Sequence, residues 1–79
     1  PSLLITDDDA TFRDTLRGVF EARFHLLEAS DGDEALHIVQ RNQVHVLIAD
    51  MHMPRLTGLE TIRQVLALQP QMPCILLSA

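Results

Sequence analysis

Acidic side chains follow two apolar segments of this sequence, at the point where each segment ends. Asp7, Asp8 and Asp9 come directly after Leu3–Ile5, and Asp50 follows a longer apolar segment. Carboxylates held close together repel one another, and at ~4 Å with an effective dielectric constant near 20 each pair costs about 4 kcal/mol. Such a cluster either takes up protons or holds a cation. Oxygen ligands alone favour a hard divalent ion such as Mg²⁺ over zinc.

A carboxylate in such a cluster can also act as a nucleophile. Mg²⁺ commonly pairs one or two carboxylates with a phosphate group, and an aspartate can form an aspartyl-phosphate. The pattern therefore indicates Mg²⁺-assisted phosphoryl transfer to an aspartate. Any one acid at a strand end is more often a cap or a turn residue, and Asp9 in particular is predicted to cap the helix that follows it.

Short apolar runs alternate with amphipathic segments along the chain. Continuous apolar runs that end at polar residues are typical of strands buried on both faces. Apolar residues spaced three and four apart, behind capping residues, indicate helices between them. The predicted strands are Leu3–Ile5, His25–Ala29, Val44–Ala49 and Cys74–Leu77, and the predicted helices run from Ala10 to Arg23, from a cap at Asp31 to about Asn42, and onward from a cap at Thr57.

The order β-α-β-α-β-α-β predicts an α/β fold with a doubly wound parallel sheet, right-handed crossovers and helices on both faces. Ligands of such sheets bind beyond the carboxyl ends of the strands, at the switch point. The aspartates after the first and third strands and the hydroxyl of Ser78 after the fourth all belong to those ends. We therefore expect them to converge on one rim of the sheet.

Composition excludes several classes of function. The chain has 11 acidic and 6 basic residues and a formal charge of −5, so we expect no nucleic-acid binding by this segment. One cysteine forms neither an intrachain disulfide nor a zinc knuckle, which favours a reducing compartment, and we predict the cytoplasm. No apolar run approaches the ~20 residues of a membrane span, so no membrane partner is expected. The histidines show no metal-ligand spacing; they are His25, His37, His45 and His52.

Four blocks of residues, taken in order, resemble one known family. They are Leu3–Asp8 with Arg13 five residues on, Gly32–Leu36, Val46–Pro54 with Gly58, and Pro73–Ala79. Together they resemble the receiver domain of two-component response regulators over the whole chain, and the Asp-Met-x-Met-Pro-x-x-x-Gly block is the most specific. The resemblance implies a flavodoxin-like fold with strand order 2-1-3-4-5.

The resemblance also implies a role for each residue of the site. Asp50 matches the phosphoacceptor, which takes a phosphoryl group from a phosphohistidine on a sensor histidine kinase or phosphotransfer protein. Asp7 and Asp8 match the acidic pair that holds Mg²⁺ together with Asp50, and the backbone carbonyl of His52 matches a further ligand. Ser78 matches the hydroxyl that contacts the phosphoryl group and switches the output surface.

Other residues of the same blocks are expected to shape the site rather than react. Pro54 and Gly58 are predicted to shape the loop after Asp50. Arg13 is predicted to be a surface or ion-pair residue of the first helix and is assigned no catalytic role. The side chain of His52 lies where the family varies phosphoryl lifetime, so we expect His52→Ala to change the dephosphorylation rate. The transfer to Asp50 and its hydrolysis would be self-catalysed, which is not the turnover of a conventional enzyme.

One member of the family's site has no counterpart in this sequence. Receivers carry a fifth strand that ends in a lysine, and every basic residue of this sequence is an arginine. Residues 1–79 are therefore interpreted as the N-terminal part of a receiver domain, without the last strand and its flanking helices. Because Cys74–Leu77 is as apolar as an interior strand, we expect the rest of a receiver or self-association to cover its edge.

Two other functions stay open at this point. The pattern Asp7-x-Asp9-x-Thr11, with Ser78 as a second motif, resembles haloacid-dehalogenase-type phosphatases, in which Asp7 would be the nucleophile and Asp9 the acid/base. That interpretation leaves the Asp50 block unexplained. A degenerate receiver that acts only as a protein-interaction module is the other alternative. The missing lysine leaves it open, and the intact Asp7, Asp8, Asp50 and Ser78 argue against it.

Overall fold

The computed structural model describes residues 1–78 and alternates four strands with three helices. The strands are β1 (Ser2–Thr6), β2 (His25–Ala29), β3 (Val46–Asp50) and β4 (Cys74–Leu77), and the helices are α1 (Ala10–Phe20), α2 (Gly32–Arg41) and α3 (Gly58–Leu68). All strand pairs are parallel, and the order across the sheet is β2-β1-β3-β4. The predicted α/β fold with a flavodoxin-like sheet is confirmed. None of the helices in this part of the chain has the length and apolar character needed to cross a bilayer.

The register of the strands brings the ends of β1, β3 and β4 to the same height. Thr6 lies opposite Ala49, and Asp50 lies opposite Leu77. The chain moves from β1 to β2 on one side and then to β3 on the other, so the switch point lies between β1 and β3. The residues that follow β1 and end β3 therefore flank this switch point.

Side chains of the strands alternate between two apolar layers. On one face Leu4 and Leu47 are fully buried against α2 and α3, together with Val65 of α3. On the other face Leu3 and Ile5 pack with Ile48 under α1. Burial on both faces explains why these strands read as continuous apolar runs.

The end of α1 is the largest error in the predicted boundaries. The apolar spacing predicts a helix that reaches Arg23, and the helix ends at Phe20. The amides of Arg23 and Phe24 both donate to the carbonyl of Phe20, at 3.0 and 3.1 Å, so the chain turns there. The ring of Phe24 then packs edge-on against Phe20, with centroids 6.0 Å apart. The apolar spacing continues past the helix because Phe24 still contacts the α1 layer.

The predicted helix caps are confirmed. The Asp9 carboxylate accepts hydrogen bonds from the amides of Thr11 and Phe12 at the start of α1. Asp31 accepts from the amide of Glu34 at the start of α2. At the start of α3, Thr57 and Glu60 form a complete capping box.

Strand β4 forms one edge of the sheet within residues 1–78 and pairs with β3. Cys74 and Leu76 pack toward the α2–α3 layer, whereas Ile75 on the opposite face is 48% exposed. That further residues or a second chain cover this edge stays a prediction.

Candidate functional site

Three carboxylates meet at the switch point between β1 and β3. Asp7, Asp8 and Asp50 each place an oxygen so that these atoms all lie within 4.8 Å of one another. Asp7 is buried, Asp50 is half-buried and Asp8 is exposed. The cluster forms because β1 and β3 are neighbours whose ends lie at the same height. The expected convergence of these three acids is therefore present.

An open cleft of about 500 Å³ lies beside the carboxylates. Its walls include Ser78 at the end of β4, Leu77 before it, and the ring of Phe12 from α1. The apolar spacing of α1 predicts Phe12 on the buried face of the helix, and it is instead 37% exposed at this rim. The cleft is large enough to admit a small anionic group next to the acids, with the exposed Ser78 at its edge.

Asp7 is the most constrained member of the cluster. Its carboxylate accepts a hydrogen bond of 2.9 Å from the amide of Asp9. Burial raises the pKa of Asp7 above its ordinary value, and the nearby charges of Asp50 and Asp8 raise it further, against the hydrogen bond from Asp9. Ionising this carboxyl group without a cation therefore costs free energy.

The donor set fits a hard divalent cation. The three groups offer oxygen only, and none of them belongs to an ion pair found among residues 1–78. Their repulsion is therefore uncompensated by a side-chain cation in this part of the chain. Mg²⁺ suits such a site, since it is bound by one or two carboxylates and retains waters that the open cleft has room for.

Asp9 lies in the same loop but has a different function. Its carboxylate is engaged by the first amides of α1, at 2.9 Å for Thr11 and 3.4 Å for Phe12. It is not part of the group of potential metal ligands. Both amides donate to Oδ1, and the capping role predicted for Asp9 accounts for these contacts.

The loop after Asp50 ends at Gly58, which lies close to the backbone of Asp50 and Met51. The amide of Gly58 donates to the carbonyl of Met51 at 3.3 Å, and the amide of Met51 donates to Leu77 of β4 at 2.8 Å. A Cβ atom on Gly58 would contact the Asp50 backbone. Gly58 is therefore needed for close approach, and its φ is not positive. Pro54 is exposed at the outer turn of this loop.

The histidines lie apart from the acidic cluster as potential ligands. All four are exposed, and no histidine side chain joins a group of potential metal ligands within residues 1–78. His52 lies in the loop between β3 and α3 with its side chain exposed. A metal contact by its backbone carbonyl stays a prediction.

Arg13 forms an ion pair, as its predicted role allows, but its bond to Asp7 and the contact of Arg17 were not predicted from the sequence. Arg13 of α1 donates to the carbonyl oxygen of Asp7 at 2.5 Å and to Glu28 of β2 at 3.1 Å. Arg17, one helical turn further, also pairs with Glu28. The spacing of Arg13 and Arg17 puts both on one face of α1, but the sequence did not reveal that this face lies over Glu28.

Comparisons with known proteins agree with this geometry. The protein-family model of the response regulator receiver domain matches residues 3–79. The chain is 38% identical over 78 residues to Response regulator MprA of Mycobacterium leprae, covering 98% of this chain and 34% of that protein. It is 34% identical over 77 residues to the hydrogenase transcriptional regulatory protein HoxA of Cupriavidus necator, covering 98% of this chain and 16% of that protein. The chain thus spans about a third or less of these two relatives.

Solved structures show the same fold. A response regulator receiver domain protein from Clostridium thermocellum superposes with a TM-score of 0.92 at 31% identity, covering 98% of this chain and 64% of that one. The receiver domain of the Francisella response regulator 1452 gives a TM-score of 0.90 at 31% identity, covering 100% of this chain and 66% of that one.

Proposed function

Because the chain belongs to the response regulator receiver domain family, we propose that it accepts a phosphoryl group on Asp50 and passes the signal on by a change of surface. Receiver domains are signalling modules and not conventional enzymes. The observation that carries the proposal is the approach of the Asp7, Asp8 and Asp50 carboxylate oxygens to within 4.8 Å at the β1–β3 switch point. Asp50 is the member that stands at the end of the central strand β3 and faces the cleft.

The phosphoryl donor is a phosphohistidine on a sensor histidine kinase or phosphotransfer protein. An oxygen of the Asp50 carboxylate forms a bond to phosphorus while the phosphorus–nitrogen bond of the donor breaks, and the imidazole nitrogen leaves with the electron pair. Attack of water on the same phosphorus later returns Asp50 to its free carboxylate. Both steps depend mainly on positioning and on the neutralisation of charge.

In this proposal Asp7 and Asp8 hold Mg²⁺ together with Asp50 and the backbone carbonyl of His52. Bound Mg²⁺ supplies the positive charge that offsets the carboxylates and the phosphoryl oxygens. Asp9 fixes one oxygen of Asp7 through its amide, at 2.9 Å, and leaves the remaining lone pairs for the metal. The hydroxyl of Ser78, on the β4 side of the cleft, donates a hydrogen bond to the phosphoryl group.

The extent of the domain, the cover of its β4 edge and its location in the cell are part of the same proposal. Residues 1–79 form the N-terminal part of a receiver, in keeping with their coverage of 64% of the Clostridium thermocellum receiver domain protein. The family's lysine would then come from a later segment of the same protein. The exposed β4 edge is covered either by that segment or by self-association. We place the protein in the cytoplasm, where a chain with one cysteine and no disulfide is expected.

Locating the phosphorylated residue tests the proposal. The full-length protein that carries this chain is incubated with acetyl phosphate and Mg²⁺, the acyl phosphate is trapped by borohydride reduction, and the modified peptide is identified by mass spectrometry. We expect the label on Asp50, and none in Asp50→Asn. Label on Asp7 favours the phosphatase function, and the absence of both label and any Mg²⁺ response favours the interaction-only receiver.

A further inference from the structure

The backbone amide and carbonyl of Asp7 are both connected to β2, the amide by a direct hydrogen bond and the carbonyl through Arg13. We propose that Arg13 is a positioning residue for the acidic site, which holds Asp7 and the following peptide in the geometry that the metal needs. The inference rests on the proposed function where it concerns metal affinity. Its structural part, the fixing of the β1–α1 loop, holds for the protein without metal.

The contacts of Arg13 join α1, the loop between β1 and α1, and β2. Its Nη1 donates to the carbonyl oxygen of Asp7 at 2.5 Å, and its Nε donates to Oε1 of Glu28 at 3.1 Å. The Arg13 side chain is only 17% exposed, so these bonds are partly shielded from water. A guanidinium group has donors in a rigid planar fork, which allows one side chain to make both bonds at once.

A backbone hydrogen bond also connects Asp7 to β2. The amide of Asp7 donates to the carbonyl of Ala29 at 3.1 Å, and Ala29 is the residue after Glu28. Adjacent residues of β2 therefore hold the amide of Asp7 directly and its carbonyl through Arg13. Because the peptide is planar, fixing the Asp7 carbonyl also fixes the direction in which the chain enters Asp8. One arginine thus constrains the main chain from which both metal-ligand candidates of the loop, Asp7 and Asp8, project.

Glu28 holds Arg13 in place. It also binds Arg17, which provides a matched control for Arg13. Arg13 bonds one of its carboxylate oxygens, and Arg17 bonds the other, at 3.0 Å from Arg17 Nε. The hydrogen bond from Arg17, followed by that from Arg13, holds the pKa of Glu28 below its ordinary value. Arg17 therefore shares the helix, the charge and the partner of Arg13, but its hydrogen bonds within residues 1–78 go to Glu28 and not to Asp7.

The test compares Arg13→Gln with Arg17→Gln in the full-length protein, by nuclear magnetic resonance. Without metal, we expect the amide of Asp9, which donates to Asp7, to exchange faster in Arg13→Gln and to be unchanged in Arg17→Gln. On titration with Mg²⁺, we expect the dissociation constant to rise about tenfold in Arg13→Gln, as for other groups that orient metal ligands, and to be unchanged in Arg17→Gln. If both variants behave alike in both measurements, the inference is wrong.

Two further outcomes separate this inference from the proposed function. A wild-type protein that shows no saturable Mg²⁺ response overturns the proposed function, whereas a difference in Asp9 exchange between the variants would still support the positioning of the loop. Should Arg13→Gln fail to fold, Arg13→Lys takes its place, because it keeps the charge but loses the planar fork. A Mg²⁺ affinity and an Asp9 exchange rate equal to those of the wild type in Arg13→Lys would contradict the inference.

Discussion

A Cβ atom on Gly58 would lie 2.1 Å from the carbonyl oxygen of Asp50 and 2.6 Å from its carbonyl carbon. The first residue of α3 therefore touches the backbone of the proposed phosphoacceptor. Since the φ angle of Gly58 is not positive, space is the reason for glycine at this position, and backbone conformation is not. The loop after Asp50 can close over β3 only while this position lacks a side chain.

We expect Gly58→Ala to destabilise the protein and to slow phosphorylation of Asp50. The added methyl group forces α3 or the end of β3 to move, at a cost of about 1–3 kcal/mol for overpacking. Urea unfolding followed by circular dichroism measures the change, because the sequence has no Trp or Tyr for fluorescence. Gly18→Ala is the control: Gly18 has nothing within 4 Å of a Cβ position and lies inside α1, so alanine should stabilise by about 1 kcal/mol. A neutral Gly58→Ala would show that the loop accommodates the methyl group.

Two buried threonines should respond in opposite ways to replacement by valine. Thr6 in β1 is 1% exposed, and its hydroxyl has no hydrogen-bond partner among residues 1–78. Thr6→Val removes this desolvated group and should stabilise the fold by about 1 kcal/mol. Thr61 in α3 is equally buried, but its hydroxyl donates to the carbonyl of Thr57 at 2.9 Å, so Thr61→Val should destabilise by about 1 kcal/mol. Unfolding midpoints that move in the same direction would contradict this assignment.

The sequence was a good guide wherever one local pattern determined the structure. Continuous apolar runs located the strands, and polar residues ahead of amphipathic segments located the caps at Asp9, Asp31 and Thr57. The acids could be placed at one rim because parallel strands end at the same edge of a sheet. Strand order came from the resemblance to receivers, since the local pattern does not encode it.

The features that were missed depend on contacts between distant segments. Arg13 and Glu28 are 15 residues apart, and their contact depends on how α1 lies across β2. The close approach of Gly58 to Asp50 depends on the path of the loop and leaves no mark in the sequence beyond the glycine itself. The predicted end of α1 is too late because Phe24 continues the apolar spacing as a packing residue after the helix has ended.

The ion pairs of Glu28 predict an acid-sensitive contribution to stability. The hydrogen bond from Arg17, the largest cause, holds the folded-state pKa of Glu28 below its ordinary value of 4.5. The contribution is therefore fully present above pH 4.5 and is lost as the pH falls through the folded-state pKa. We expect Glu28→Gln to cost up to about 1 kcal/mol at neutral pH and nothing once the pH lies below that pKa. Urea unfolding at several pH values measures this, with Glu21→Gln as an exposed control. A pH-independent difference would show that packing, and not charge, is responsible.

Removing the charge of Asp7 should separate stability from metal binding. Burial and the charges of Asp50 and Asp8 raise the pKa of Asp7, so the folded state holds this proton to higher pH than the unfolded state does. Stability without metal then falls as the pH rises from the unfolded-state pKa to the folded-state pKa, and the full penalty is present above the folded-state pKa. Asp7→Asn removes that penalty and should raise the melting temperature in the presence of a chelator.

The same substitution should reduce the stabilisation that Mg²⁺ gives. A ligand that binds only the folded state raises the melting temperature with its concentration, and Asp7→Asn should weaken Mg²⁺ binding by at least about tenfold. Asp9→Asn is the matched control, because it removes one charge from the same loop but keeps a good helix cap outside the carboxylate cluster. Scanning calorimetry of the three proteins, with chelator and with Mg²⁺, gives both quantities. An Asp7→Asn protein that gains as much stability from Mg²⁺ as Asp9→Asn would show that Asp7 is not a metal ligand.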